Sequence, residues 1–96
     1  MDMIFNEMQS LIPRRSCQKF RVDSDFVIVT NYTNKMIYLN GTASEIFLLC
    51  DGKRSINDIC NKMLSEYDVE PKTMRHDLIK IIRDFQWTRI IKLLRP

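Results

Sequence analysis

Leu39-Asn40-Gly41-Thr42-Ala43-Ser44-Glu45-Ile46-Phe47-Leu48-Leu49-Cys50-Asp51-Gly52-Lys53-Arg54-Ser55-Ile56 joins the end of a strand to two helices with no residue to spare. Thr42 and Glu45 have the spacing of a capping box, in which each side chain satisfies a free backbone N–H at the other's position. Ser55 and Asp58 repeat the pattern with a shorter acid. Asp51-Gly52 supplies the turn between the two helices. Strand-like runs lie before this stretch and helical periodicity after it, so the stretch is the junction of an α+β chain.

Upstream, three short runs have strand character: Cys17 to Val22, Phe26 to Asn31, and Met36 to Leu39. Asp23-Ser24-Asp25 and Asn31-Tyr32-Thr33-Asn34 separate them with turn-forming residues, which predicts a small antiparallel meander. Before the meander, Ile4, Phe5, Met8, Leu11 and Ile12 fall at helical spacing and stop at Pro13. This opening reads as a short amphipathic helix or a flexible arm, so the chain divides into an arm, residues 1–12, and a folded unit, residues 13–96.

Downstream, Ile56, Ile59, Cys60, Met63, Leu64 and Tyr67 form one apolar stripe, and that helix packs inward. The last helix begins at Pro71, a favoured first helical position, with Met74, Leu78, Ile81, Ile82 and Phe85 as its stripe. Only Asp68-Val69-Glu70 separates the two, as in a helix-turn-helix. The tail Arg89-Ile90-Ile91-Lys92-Leu93-Leu94 has no clean period and is open to either a wing-like strand or a helix extension.

At 96 residues with 45% hydrophobic and 28% charged residues, the chain has the composition of one globular domain. Its small core makes a homodimer a reasonable alternative to a monomer. Cys17, Cys50 and Cys60 are odd in number and lack metal-site spacing, which predicts a reducing cytoplasm and neither a disulfide framework nor a bound metal. The N-terminus has no basic region before an apolar stretch, and no run is long enough to span a bilayer, so no membrane association is expected. Charge is uneven: residues 41 to 70 hold six acids and three bases, whereas residues 71 to 96 hold seven bases and two acids. A basic final third predicts an acidic partner surface, a peptide or a phosphate backbone.

Catalytic chemistry has little to build on. His76 is the one histidine and falls on the polar side of the last helix, and no phosphate loop, nucleophile pair or metal-ligand motif is present. The chain therefore reads as a binding protein without cofactor or catalysis. On the last helix, Ile79 stands on a shoulder of the core stripe with Arg75 and Arg83 one turn to either side. It reads either as a lone exposed apolar residue or as an apolar pocket flanked by carboxylate-binding arginines. The third strand, at an edge of the meander, has backbone groups open to an added strand.

The run from the third strand through Leu39-Asn40, Glu45-Ile46, Cys50-Asp51-Gly52-Lys53-Arg54-Ser55 and Ile56 to Ile59 resembles the PqqD-like family of peptide chaperones and leader-binding domains, and the resemblance covers roughly Pro13 to Trp87. It implies an α+β, winged helix-turn-helix-like fold with a three-stranded antiparallel sheet followed by three helices. It further implies that the leader of a ribosomally made precursor peptide binds as a strand beside the third strand and is presented to a modifying enzyme. Carried onto this chain, the resemblance lines the groove with Met36, Ile37, Tyr38 and Leu39 on one side and Arg75, Leu78, Ile79, Ile82 and Arg83 on the other. The rival reading is a DNA-binding winged helix, because Lys72, Arg75, Lys80 and Arg83 decorate the helix that would read the duplex. The modest net charge of +3 and the apolar Ile79 among those bases favour a peptide over nucleic acid. A purely structural dimerisation module, drawing on the apolar arm and tail, is the third reading.

Overall fold

Phe26-Val27-Ile28-Val29-Thr30 is rich in β-branched and aromatic residues and forms the middle strand of a three-stranded antiparallel sheet. In the computed structural model, which describes residues 2–96, the chain runs α1 (Asp2–Met8), β1 (Ile12–Arg15), β2 (Lys19–Asp23), β3 (Phe26–Thr30), β4 (Met36–Leu39), α2 (Gly41–Leu49), α3 (Ile56–Glu66), α4 (Pro71–Trp87) and β5 (Ile91–Leu94). The sheet order is β2-β3-β4, so β2 and β4 are its two edges. Phe20 pairs with Val29, Val22 with Val27, Ile37 with Val29 and Leu39 with Val27, which puts these six side chains on one face. Arg21, Ile28 and Tyr38 share the other.

The inner face meets the helices. Val27 and Val29 join Ile46, Phe47, Ile59, Met63, Leu78, Ile82 and Phe85 in one buried cluster. A run of edge-to-face rings crosses the layers: Phe20 lies 5.3 Å from Phe47, and Phe47 lies 5.9 Å from Phe85. Ser44 fastens α2 beneath the sheet, since its hydroxyl accepts from Val27 N and donates to the Leu39 carbonyl, both at 2.9 Å.

The second helix pair starts as its sequence requires, with Ser55 and Asp58 making a complete capping box at α3. The first does not. Asn40, already extended at φ −81° and ψ −178°, caps α2 by accepting from Ala43 N at 3.3 Å. The helix therefore begins at Gly41, Thr42 falls inside its first turn, and Glu45 is released to accept a hydrogen bond from the Tyr67 hydroxyl at the end of α3. Asp51-Gly52 makes the turn expected of it. Gly52 sits at φ +78°, which disfavours any side chain, and a Cβ there would also press within 3.3 Å of Arg14 Cγ.

Both termini belong to the fold. The tail forms β5 and pairs antiparallel with β1, with Pro13 opposite Leu93 and Arg15 opposite Ile91. A wing-like strand is thus the outcome at the tail, and the 12/13 division falls inside β1. The first meander strand spans Lys19–Asp23 rather than Cys17 to Val22, since its ladder with β3 runs from Lys19 opposite Thr30 to Asp23 opposite Phe26. At the N-terminus α1 packs along α4 with Phe5 buried.

The turn from β3 to β4 hangs on one buried side chain. Asn31 Oδ1 accepts from Thr33 N, Thr33 Oγ1 and Lys35 N at 2.7–3.0 Å, and Nδ2 donates to the Thr88 carbonyl at the end of α4 at 2.8 Å. Asn34 then takes φ +66°, a conformation that asparagine tolerates. Asn31→Ala is expected to lower stability by about 1–3 kcal/mol, since it removes at once the partner of two turn amides and of the Thr88 carbonyl, all part-buried. Urea melts of the two proteins check this, and a change below about 0.5 kcal/mol would mean that water replaces the side chain without loss.

Candidate functional site

Which backbone groups of β4 are open follows from its pairing. Asn31 N donates to the Lys35 carbonyl at 3.0 Å, which marks this as a hydrogen-bonded position. Antiparallel strands alternate, so Ile37 and Leu39 turn their N–H and C=O toward β3 while Met36 and Tyr38 turn theirs to the free edge. Val27 and Leu39 confirm the phase, because the Ser44 hydroxyl bridges that facing pair. Met36 and Tyr38 side chains lie on the outer face, 49% and 69% exposed, whereas Ile37 is half-buried and Leu39 buried on the inner face.

Sequence reasoning placed the opposite wall on Arg75, Leu78, Ile79, Ile82 and Arg83. Leu78, Ile79 and Ile82 are core residues with no accessible surface. The correction concerns Ile79 above all, which is neither an exposed shoulder nor a pocket. On a helix advancing about 100° per residue, Ile79 lies on the flank shared with Arg75, and α1 covers that flank. The Arg75 guanidinium stacks over the Phe5 ring at 5.9 Å, so it is engaged with α1. Arg83 is exposed.

The flank of α4 turned to the sheet is a different one. Phe85 touches Phe47, and the Thr88 carbonyl holds Asn31. Ile81 lies one turn before Phe85 and two before Thr88, on the same flank, and is half-buried. It was read from sequence as a full core position. The structure exchanges the roles of Ile79 and Ile81: the first is fully buried, and the second keeps part of its apolar surface accessible, as Ile37 does on β4.

The remaining chemistry is quiet. His76 is exposed on the polar face of α4. Among the described residues, no cluster of three His, Cys, Asp or Glu side chains is placed to hold a metal ion, and no helix is long and apolar enough to cross a membrane. Burial pushes the Cys50 thiol up to about 12, against the opposing influence of Arg15, and its Sγ donates to the Ile46 carbonyl at 3.2 Å. The folded chain thus keeps a proton that the unfolded chain releases near 9. The stability tied to that proton is present below this pH and declines as pH rises toward the folded value. Cys50 is expected to stay silent to thiol reagents at neutral pH until the chain unfolds, and rapid labelling in the native state would contradict its burial.

These features define a class: a small α+β domain in which an open-edged meander is set on a helix-turn-helix. The family described as coenzyme PQQ synthesis protein D (PqqD) matches residues 25–91, and the chain belongs to it. Among solved structures, the chain is similar to one described as TbiB1 in complex with the TbiA(beta) leader peptide. The TM-score is 0.74 at 24% identity, over 82% of this chain and 94% of that one, and the two share their fold. A comparison with curated proteins finds no match. The resemblance read from the junction segment is thereby established.

Proposed function

We propose that this chain binds the leader region of a ribosomally synthesised precursor peptide as a strand added to β4 and presents it to a modifying enzyme, without catalysing a step itself. The observation that carries the reading is the open edge at Met36 and Tyr38 in a chain of this family. Two further points support it. Main-chain bonding at such an edge supplies affinity while alternate side-chain contacts supply selectivity, and the solved relative is described as a leader-peptide complex. Ile37 and Ile81 offer the apolar contacts, and the exposed Arg83 of α4 offers a cation for a carboxylate of the leader. Leu78, Ile79 and Ile82 hold α4 in the core and do not themselves meet the peptide. A reducing cytoplasm suits three free cysteines.

Hydrogen exchange tests the reading residue by residue. On adding the leader of a cognate precursor peptide, the Met36 and Tyr38 amides are expected to become protected, while Ile37 and Leu39, already turned inward, change less. Tight binding with unchanged Met36 and Tyr38 exchange would move the peptide elsewhere. Failure of every candidate precursor leader to bind, with the chain folded, would remove the function.

A further inference from the structure

The sheet has a second open edge with a different character. All five residues of β2, Lys19–Asp23, are exposed. Thr30 turns its carbonyl toward β2, accepting from Gln18 N at 2.9 Å, so Lys19 and Arg21 bond inward while Phe20 and Val22 turn their N–H and C=O to the free edge. Two adjoining concavities of about 390 and 510 Å³ flank this strand and share Gln18, Lys19 and Phe20. Their linings include Arg14, Arg15, Lys19 and Arg21 together with Ile28 and Met36, and no acidic residue. Arg14, Lys19 and Arg21 make no ion pair among the described residues.

We infer that the β2 edge is a second docking site, which takes an extended segment of a partner protein in which acidic and apolar residues alternate. The alternation follows from the pleat. A strand laid beside β2 would set every second side chain against Lys19 and Arg21 on the outer face, and the intervening ones against Phe20 and Val22 on the inner face. Acids satisfy the first row and apolar residues the second. A second copy of this chain paired antiparallel through β2 in full register would set Arg21 against Arg21 and Lys19 against Asp23, so part of the basic row would lack an acid, whereas an acidic segment satisfies both cations. Nucleic acid is disfavoured by Ile28 and Met36 within the concavity and by Asp23 and Asp25 at the end of the hairpin.

The inference stands apart from the reading of β4, since the two edges report through different amides. The probe is a synthetic peptide of alternating Glu and Val, titrated into isotope-labelled full-length chain and followed by NMR and amide exchange. A Lys–Val counterpart and a short DNA duplex are run beside it. The Glu–Val peptide is expected to shift and protect Phe20 and Val22 and to leave Met36 and Tyr38 as in the free chain. It should also bind at least about tenfold more tightly than the Lys–Val peptide. In Lys19→Glu/Arg21→Glu, with the fold verified by circular dichroism, that preference is expected to reverse. Absence of binding would leave the lysine and arginine as guards against aggregation and overturn the inference. Protection at Met36 and Tyr38 instead, or an unchanged preference in the double variant, would do the same. Tighter binding of duplex at the same residues would replace the protein partner by nucleic acid.

Discussion

Ile79→Asp is expected to unfold the chain rather than to weaken a binding surface. Ile79 has no accessible surface and belongs to the cluster that joins Phe5, Leu78 and Ile82. The substitution loses about 1.5–3 kcal/mol of apolar burial. It also forces a carboxylate either to remain buried without a partner or to take up a proton, which adds several kcal/mol. The total is on the order of the whole stability of a small domain. Ile81→Asp is the contrasting variant, because a half-buried side chain can turn its charge to water. It should retain the native circular dichroism and a cooperative melt while binding the leader about tenfold or more weakly. A folded Ile79→Asp protein with native stability would mean that α1 does not cover that flank of α4. Full affinity in folded Ile81→Asp would take Ile81 out of the peptide site.

Tyr38→Pro should separate the backbone of the β4 edge from its side chains. The Tyr38 N–H points away from β3, so proline removes no bond of the existing ladder, and an edge strand with its N–H side to solvent is where proline is tolerated. A stability loss near 1 kcal/mol is expected from the change of strand dihedral. Strand addition is a different matter: the incoming peptide loses a donor in the middle of a four-residue strand and meets the pyrrolidine ring, so leader binding should fall by roughly 100-fold or more. Tyr38→Ala is the control, keeping the N–H and removing the exposed ring. If proline and alanine weakened binding equally, the side chain rather than the backbone would hold the peptide. If neither had an effect, the β4 edge would not be the site.

Local signals in the sequence were sufficient for a good deal. Ser55 and Asp58, Gly52, Pro71 and the stripe of α3 from Ile56 to Met63 act within a few residues of themselves, so their readings survive in the folded chain, whereas Tyr67 at the end of that stripe is exposed. The meander could be read as well, because Asn31 and Asn34 punctuate it and Phe26 to Thr30 is β-rich on both faces. The junction segment pointed to the family, and that family is the one to which the chain belongs.

What the tertiary structure alone decided is which side of an element faces what. The α2 cap passed from Thr42 to Asn40 because β4 ends one residue before the helix begins, a boundary set by pairing with β3. Tail residues 91–94 became a strand only because β1, far away in sequence, lies beside them. Ile79 and Ile81 are chemically identical and lie on opposite shoulders of one stripe. α1 packs on the flank of the first and the second stays half-buried, a choice that depends on a contact between α1 and α4 and leaves no mark in the periodicity of α4. The sequence by itself thus determined the elements, the junction and the family, since these rest on short-range capping and periodicity. The exposed faces that a partner would meet were decided by packing between distant segments.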